Sequence, residues 1–123
     1  MNSNAEIVRE FVERWSNLNP AELADYFTED GCYYNMPIQP IKGKQAVEAF
    51  IADFAGTWTE TNWDIINLVE SGDVVFCERV DRTKSSGGDV DLPCVGVFEM
   101  ENGKIREWRD YFDLQTYMGA MSN

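Results

Sequence analysis

The chain has 123 residues, the size of one small domain, and 44% of them are hydrophobic, enough for a core without disulfide or metal staples. Ten Lys and Arg stand against 22 Asp and Glu, a formal charge of −12. That balance sets the chain against phosphate backbones and anionic membrane surfaces, so neither nucleic acid nor membrane is expected as a partner. There is no histidine at all, which excludes Ser–His and Cys–His nucleophiles, a His general base and any His-liganded metal. Acid–base chemistry near neutral pH must come from carboxylates, Tyr, Lys or Cys. The cysteines, Cys32, Cys77 and Cys94, are odd in number and form no CxxC pair, the usage of a reducing, cytoplasmic compartment. The N-terminus opens into an amphipathic stretch rather than a signal peptide, and no apolar run approaches the ~18 residues that span a bilayer.

In chain order, residues 5–17 carry Ile7, Val8, Phe11, Val12 and Trp15 on one apolar stripe, which predicts a helix with Asn4 as its cap. Pro20 suits the first turn of a second helix over 20–27, and Glu29-Asp30-Gly31 reads as a turn. Cys32 to Ile38 is strand-like. Residues 44–54 are helical again, with Val47, Phe50, Ile51 and Phe54 at helical spacing. The period then changes to two, and 61–69, 73–83, 90–100 and 104–114 are strand candidates joined by turn-rich connections. One of these holds Asn102-Gly103, a strong hairpin signal. The order predicts a single α+β domain over 1–123: a cone-shaped, curved, mixed β-sheet with three to four N-terminal-half helices on its concave face.

Strand parity exposes an anomaly. Val75, Cys77, Arg79 and Asp81 share one face of their strand, Tyr33 and Asn35 share a face of theirs, and Trp108, Asp110 and Phe112 share a face of the last. Asp110 is thus a carboxylate between two aromatics where a core residue belongs. Taken singly, each feature has an ordinary structural explanation: a solvated Arg–Asp pair, a polar strand end, a buried ion pair. Together they describe a cation between two carboxylates, with a phenol and an amide nearby. Val80, Val95, Val97, Tyr111 and Trp63 are placed on the outer sheet face, enough apolar area for a sheet-to-sheet homodimer.

The segments Tyr33-Tyr34-Asn35-Met36-Pro37, Glu78-Arg79-Val80-Asp81 and Trp108-Arg109-Asp110-Tyr111-Phe112-Asp113-Leu114 resemble the limonene-1,2-epoxide hydrolase family. The resemblance runs from the second helix to about Tyr117, and all five polar positions appear in the family's order. It implies the cone fold also seen in nuclear transport factor 2, ketosteroid isomerase and the polyketide cyclases. It also implies a hydrolase acting on an ether bond, which opens a small, hydrophobic cyclic or terpene-like epoxide with water to a vicinal diol, without cofactor or metal. By the resemblance, Asp81 is the general acid, Asp110 the base that activates water, and Arg79 the arginine between them. Tyr33 and Asn35 hold the water, and Phe54, Trp58, Leu92, Cys94, Phe112 and Tyr117 face the substrate. The family association is a homodimer, in keeping with the apolar outer face.

The residue types suit that chemistry. The epoxide leaving group is an alkoxide, so its oxygen needs a proton as the C–O bond breaks, while the attacking water must lose one. One Asp must then stay protonated, a rise of about 3 units from the usual carboxylate value, which burial and a neighbouring carboxylate supply. Two other readings stay open: an isomerase or cyclase of the ketosteroid isomerase or polyketide cyclase type, which needs a single carboxylate base, and a non-catalytic small-molecule binding module on the same fold.

Overall fold

The computed structural model describes residues 2–121. Helix α1 (Asn4–Arg14) is capped by Ser3, one residue earlier than expected; Ser3 Oγ accepts from the Glu6 amide and the Glu6 side chain accepts from the Ser3 amide. This reciprocal pair satisfies two donors that a helix start otherwise leaves orphaned. The chain tightens into a single 3-10 turn over Trp15–Asn17, then enters the short α2 (Pro20–Ala24), capped by Asn19 and led by Pro20. Helix α3 (Lys44–Phe54) has the boundaries that its apolar spacing predicts.

The strands are β1 (Phe27–Asn35), β2 (Pro40–Lys42), β3 (Trp58–Ser71), β4 (Val74–Ser85), β5 (Gly88–Glu101) and β6 (Lys104–Phe112), and α4 (Leu114–Ala120) closes the described chain. They form one six-stranded sheet in the order β2-β1-β6-β5-β4-β3. All neighbours are antiparallel except β1 and β6, which run parallel, so the sheet is mixed as expected. The Asn102-Gly103 turn between β5 and β6 places both residues at positive φ, 51° and 78°, the conformation of a tight hairpin.

Most strands run a few residues longer than their periodicity suggests, and two element ends and one face assignment differ from the sequence reading. Residues 27–31 belong to β1 rather than to a helix and turn; the register with β6 shifts between Phe27 and Cys32, and that irregularity hides the strand's alternation. The last strand stops at Phe112, because Asp113 caps α4 by accepting from the Thr116 amide and hydroxyl. Trp63 lies on the concave face, not the outer one: it is buried and stacks on Trp15 at 4.2 Å. Register shifts at Trp58/Glu60 and Ile65/Asn67 flank it, and between them Trp63 pairs with Asp81 of β4 and shares its inward face.

The concave face of the sheet holds the core. From α1 and the 3-10 turn, Val8, Phe11, Val12 and Trp15 pack against Phe98, Trp108, Val75, Cys77 and Ile105. Trp108 is stacked between Tyr33 (4.2 Å) and Phe98 (5.1 Å), with the edge of Phe11 against it at 5.1 Å. The outer face leaves Phe76, Val95 and Tyr111 exposed as neighbours on β4, β5 and β6. No helix among the described residues is long and apolar enough to cross a membrane.

Candidate active site

Strand alternation carries the core face of β4 outward from Val75 and Cys77 to Arg79, Asp81 and Thr83, all buried. On β6 the same face runs from Trp108 to Asp110. Register brings Arg79 opposite Cys94 and Gly96 opposite Asp110, so one narrow strand, β5, separates the two carboxylates. Arg79 spans the gap and is wholly buried.

Its guanidinium holds both acids. Nε donates to Asp81 Oδ1 at 2.8 Å and Nη2 to Asp81 Oδ2 at 3.1 Å. On the other side, Nη1 donates to Asp110 Oδ1 at 3.1 Å and Nη2 to Asp110 Oδ2 at 2.5 Å. Trp108 Nε1 adds a donor to Asp110 Oδ1 at 2.8 Å. The cation also lies 4.4 Å above the Trp63 ring and 5.4 Å above that of Trp108. Such a rigid fork fixes both carboxyl planes, which an ammonium cannot do.

The electrostatics are asymmetric. Burial pushes Asp81 up to about 6, against the pull of Arg79 in the opposite direction; Asp110 adds to the rise. Burial also works against the charge on Arg79, but Asp110 and Asp81 more than offset it and hold the guanidinium charged. Tyr33 is driven well above the usual phenol range, first by burial and then by Asp110, so it acts as a neutral hydroxyl. A buried ion cluster of this kind contributes little net stability, because desolvation consumes the Coulombic gain. Its placement beside a cavity gives it another use.

The cavity is lined by Tyr33, Asn35, Asp81 and Asp110 at its polar end and by Phe54, Trp58, Leu92, Phe112 and Tyr117 elsewhere, with Trp63, Thr83 and Val90 completing the wall. Its free volume is about 20 Å³, room for a single water. The Trp58 indole donates to the Tyr117 hydroxyl at 3.2 Å, and Phe54 packs on both rings. A larger guest requires these side chains to swing apart. Among the described residues, Asn35 Nδ2 is a buried donor without a partner, and its residue faces this space.

The structure therefore brings Tyr33, Asn35, Arg79, Asp81 and Asp110 together, and puts Phe54, Trp58, Leu92, Phe112 and Tyr117 on the cavity wall. Cys94 is the exception among the predicted wall residues. Its thiol sits beside Asp81, Sγ 3.4 Å from Oδ2, and does not line the cavity. Asp81, Cys94 and Asp110 are close enough to hold a metal ion, with donor atoms all within 4.8 Å. Arg79 already binds both carboxylates, however, and burial pushes the thiol upward, away from the thiolate a metal needs. The cation of this cluster is the guanidinium.

Gly96 is a residue that the sequence reading passed over. A Cβ there would lie 2.8 Å from Arg79 Nη1, 2.8 Å from Trp108 Nε1 and 2.9 Å from Asp110 Oδ1. The polar cluster occupies the space of that missing side chain. A glycine inside a strand is the signal of such close approach.

Comparison with known proteins agrees with this architecture. A family model described as the SnoaL-like domain matches residues 8–108. An LEH-like epoxide hydrolase from M. tuberculosis is 24% identical, with a TM-score of 0.82 over 96% of this chain and 88% of that one. A protein from Catenulispora acidiphila DSM 44928 with a ketosteroid isomerase-like fold, solved in complex with trimethylamine, is 22% identical (TM-score 0.86; 94% and 92% covered). One from Shewanella putrefaciens CN-32, assigned as a SnoaL-like polyketide cyclase, is 16% identical (TM-score 0.86; 98% and 96% covered). At these identities the structural likeness establishes the fold, and the family match establishes kinship: the chain belongs to the SnoaL-like domain family and has the nuclear transport factor 2-like fold.

Proposed function

We propose that the protein is an epoxide hydrolase of the limonene-1,2-epoxide hydrolase type. The observation that carries this reading is one buried arginine clamping two carboxylates that both face a single apolar cavity. In the proposed step, Asp110 takes a proton from water as the water oxygen bonds to a ring carbon. The C–O bond on that carbon breaks, and Asp81 gives its proton to the departing epoxide oxygen. The product is a vicinal diol, and a proton returns from Asp110 to Asp81 by way of solvent before the next turnover. Tyr33 and Asn35 aim the water; the unpartnered Nδ2 of Asn35 is suited to donate to it.

The unequal surroundings support the division of labour. Asp81, raised to about 6, already holds its proton part of the time near neutrality. A substrate that displaces the last water from the cavity pushes it higher still. Asp110 accepts from both Arg79 and Trp108. A base that shifts a proton beside a carbonyl, as in an isomerase or cyclase, has no need of a second carboxylate on the same guanidinium. A binding module gains nothing from either acid. The proposal includes a homodimer through the outer sheet face, now resting on Phe76, Val95 and Tyr111 without Trp63. Light scattering of the purified chain reports it, and a monomer at working concentration removes that part.

The test is turnover of a panel of cyclic and terpene-derived epoxides in ¹⁸O-labelled water. One labelled oxygen per diol is expected from the wild type. Asp81→Asn and Asp110→Asn are each expected to lose at least about 10³-fold in rate, roughly 4 kcal/mol of barrier, while staying folded. Near-wild-type rates in either variant, or no turnover of any epoxide by the wild type, would remove the reading.

A further inference from the structure

Thr83 lies on the cavity wall, the next inward position of β4 after Asp81, and is buried. The proposed reaction makes no use of it. Its hydroxyl pairs with that of Thr61. Trp63 Nε1 donates to Thr61 Oγ1 at 2.9 Å, and Thr61 Oγ1 lies 2.8 Å from Thr83 Oγ1. The Thr61 hydroxyl also reaches the Arg82 carbonyl oxygen, at 3.3 Å. Thr61 has one proton. Given to the Arg82 carbonyl, it leaves Thr61 to accept from both Trp63 and Thr83, and every contact in the set is satisfied. Thr83 then spends its proton on Thr61 and keeps both lone pairs to accept with.

We infer that Thr83 is a specificity-determining residue that accepts a hydrogen bond from a hydroxyl on the substrate, so that the preferred substrate class is a hydroxyl-bearing epoxide rather than a pure hydrocarbon one. The inference rests on the hydrolase reading above and adds the substrate class. A Val of the same shape would line this wall without any polar atom; the Trp63–Thr61–Thr83 chain instead leaves an acceptor on a lining residue beside Val90 and Leu92. Asp81 and Thr83 are two residues apart on one strand face, about 7 Å along the chain. A hydroxyl across a small ring from the epoxide matches that spacing. A site that offers a buried acceptor rejects an analogue without the donor more strongly than an apolar wall rejects an added hydroxyl.

The test pairs 3,4-epoxycyclohexan-1-ol with cyclohexene oxide as substrates, and cyclohexane-1,2,4-triol with cyclohexane-1,2-diol as ligands for calorimetric binding. The wild type is expected to favour the hydroxylated member of each pair, by about tenfold in kcat/KM for the epoxides. In Thr83→Val that ratio is expected to collapse toward parity, while Thr83→Ser, which keeps the hydroxyl, retains it. An unchanged ratio in Thr83→Val overturns the inference and leaves the hydrolase reading standing. If neither epoxide reacts, the hydrolase reading fails, and the triol-to-diol binding ratio decides the subsite alone: a fall in Thr83→Val upholds it, and no change overturns it.

Discussion

Strands β4 and β6 each cross two environments on a single face. At one end, Val75, Cys77 and Ile105 are sealed beneath α1 among Phe11, Phe98 and Trp108. At the other, the same faces carry Arg79, Asp81, Thr83 and Asp110, equally buried but polar and next to a cavity. Burial alone does not distinguish the two ends; chemistry does. The apolar end contributes stability through area removed from water and close packing. The polar end costs desolvation and holds its geometry through hydrogen bonds that a single arginine supplies. Trp108 joins the two regions, its ring stacked in the apolar core and its indole nitrogen bonded to Asp110.

If the two ends do different work, substitutions in them must separate activity from stability. The largest expected effect is that of Arg79→Lys. One ammonium cannot reproduce four donor contacts to two buried carboxylates, so a loss of about 3–5 kcal/mol in urea unfolding is expected, together with most of the epoxide turnover. Full activity in this variant would make Arg79 a filler rather than a clamp. Gly96→Ala comes next. Its Cβ must displace Arg79 Nη1, Trp108 Nε1 or Asp110 Oδ1. A cost of about 2 kcal/mol is expected, with a fall of about 10²-fold in kcat from the shifted carboxylate. A variant with unchanged kcat would show that the cluster tolerates displacement. The smallest effect is that of Ile105→Val at the apolar end: about 1 kcal/mol lost in the same unfolding assay, with kcat/KM unchanged. A matching loss of activity there would erase the distinction between the ends.

The division was partly legible in the sequence. Regular alternation put Arg79 and Asp81 on one face of β4 and Asp110 between Trp108 and Phe112 on β6, because no bulge interrupts either strand in that stretch; which face of β4 is the core was not legible from its mixed residues. Parity also put Tyr33 and Asn35 on one face, and the resemblance to a known family then gave the five positions their roles. The reading failed where a face is set by the pairing of two strands. Trp63 pairs with Asp81 in β4 and shares its inward face, a register that one strand's own alternation does not show. Asp113 looked like a strand residue because a cap and a strand end share the same extended backbone. Gly96 carried a usable signal, a glycine in mid-strand, but its meaning depends on which side chains from β4 and β6 converge on it. Cys94 was misplaced by a finer effect. Its position faces inward, as parity requires, yet its thiol packs against Asp81, which lines the cavity while Cys94 does not.

In the proposed reaction, one of two aspartates bound to the same arginine holds a proton near neutral pH. The sign of its effect on stability follows. A carboxyl raised from 3.8 to about 6 on folding stabilises the fold fully below pH 3.8, and that contribution is lost as pH climbs through about 6. The most direct measurement is a pH titration of the Asp81 carboxyl carbon by ¹³C NMR in the wild type, assigned by its absence in Asp81→Asn. A midpoint near 6 is the result this account requires; a midpoint at or below the ordinary 3.8 would contradict it.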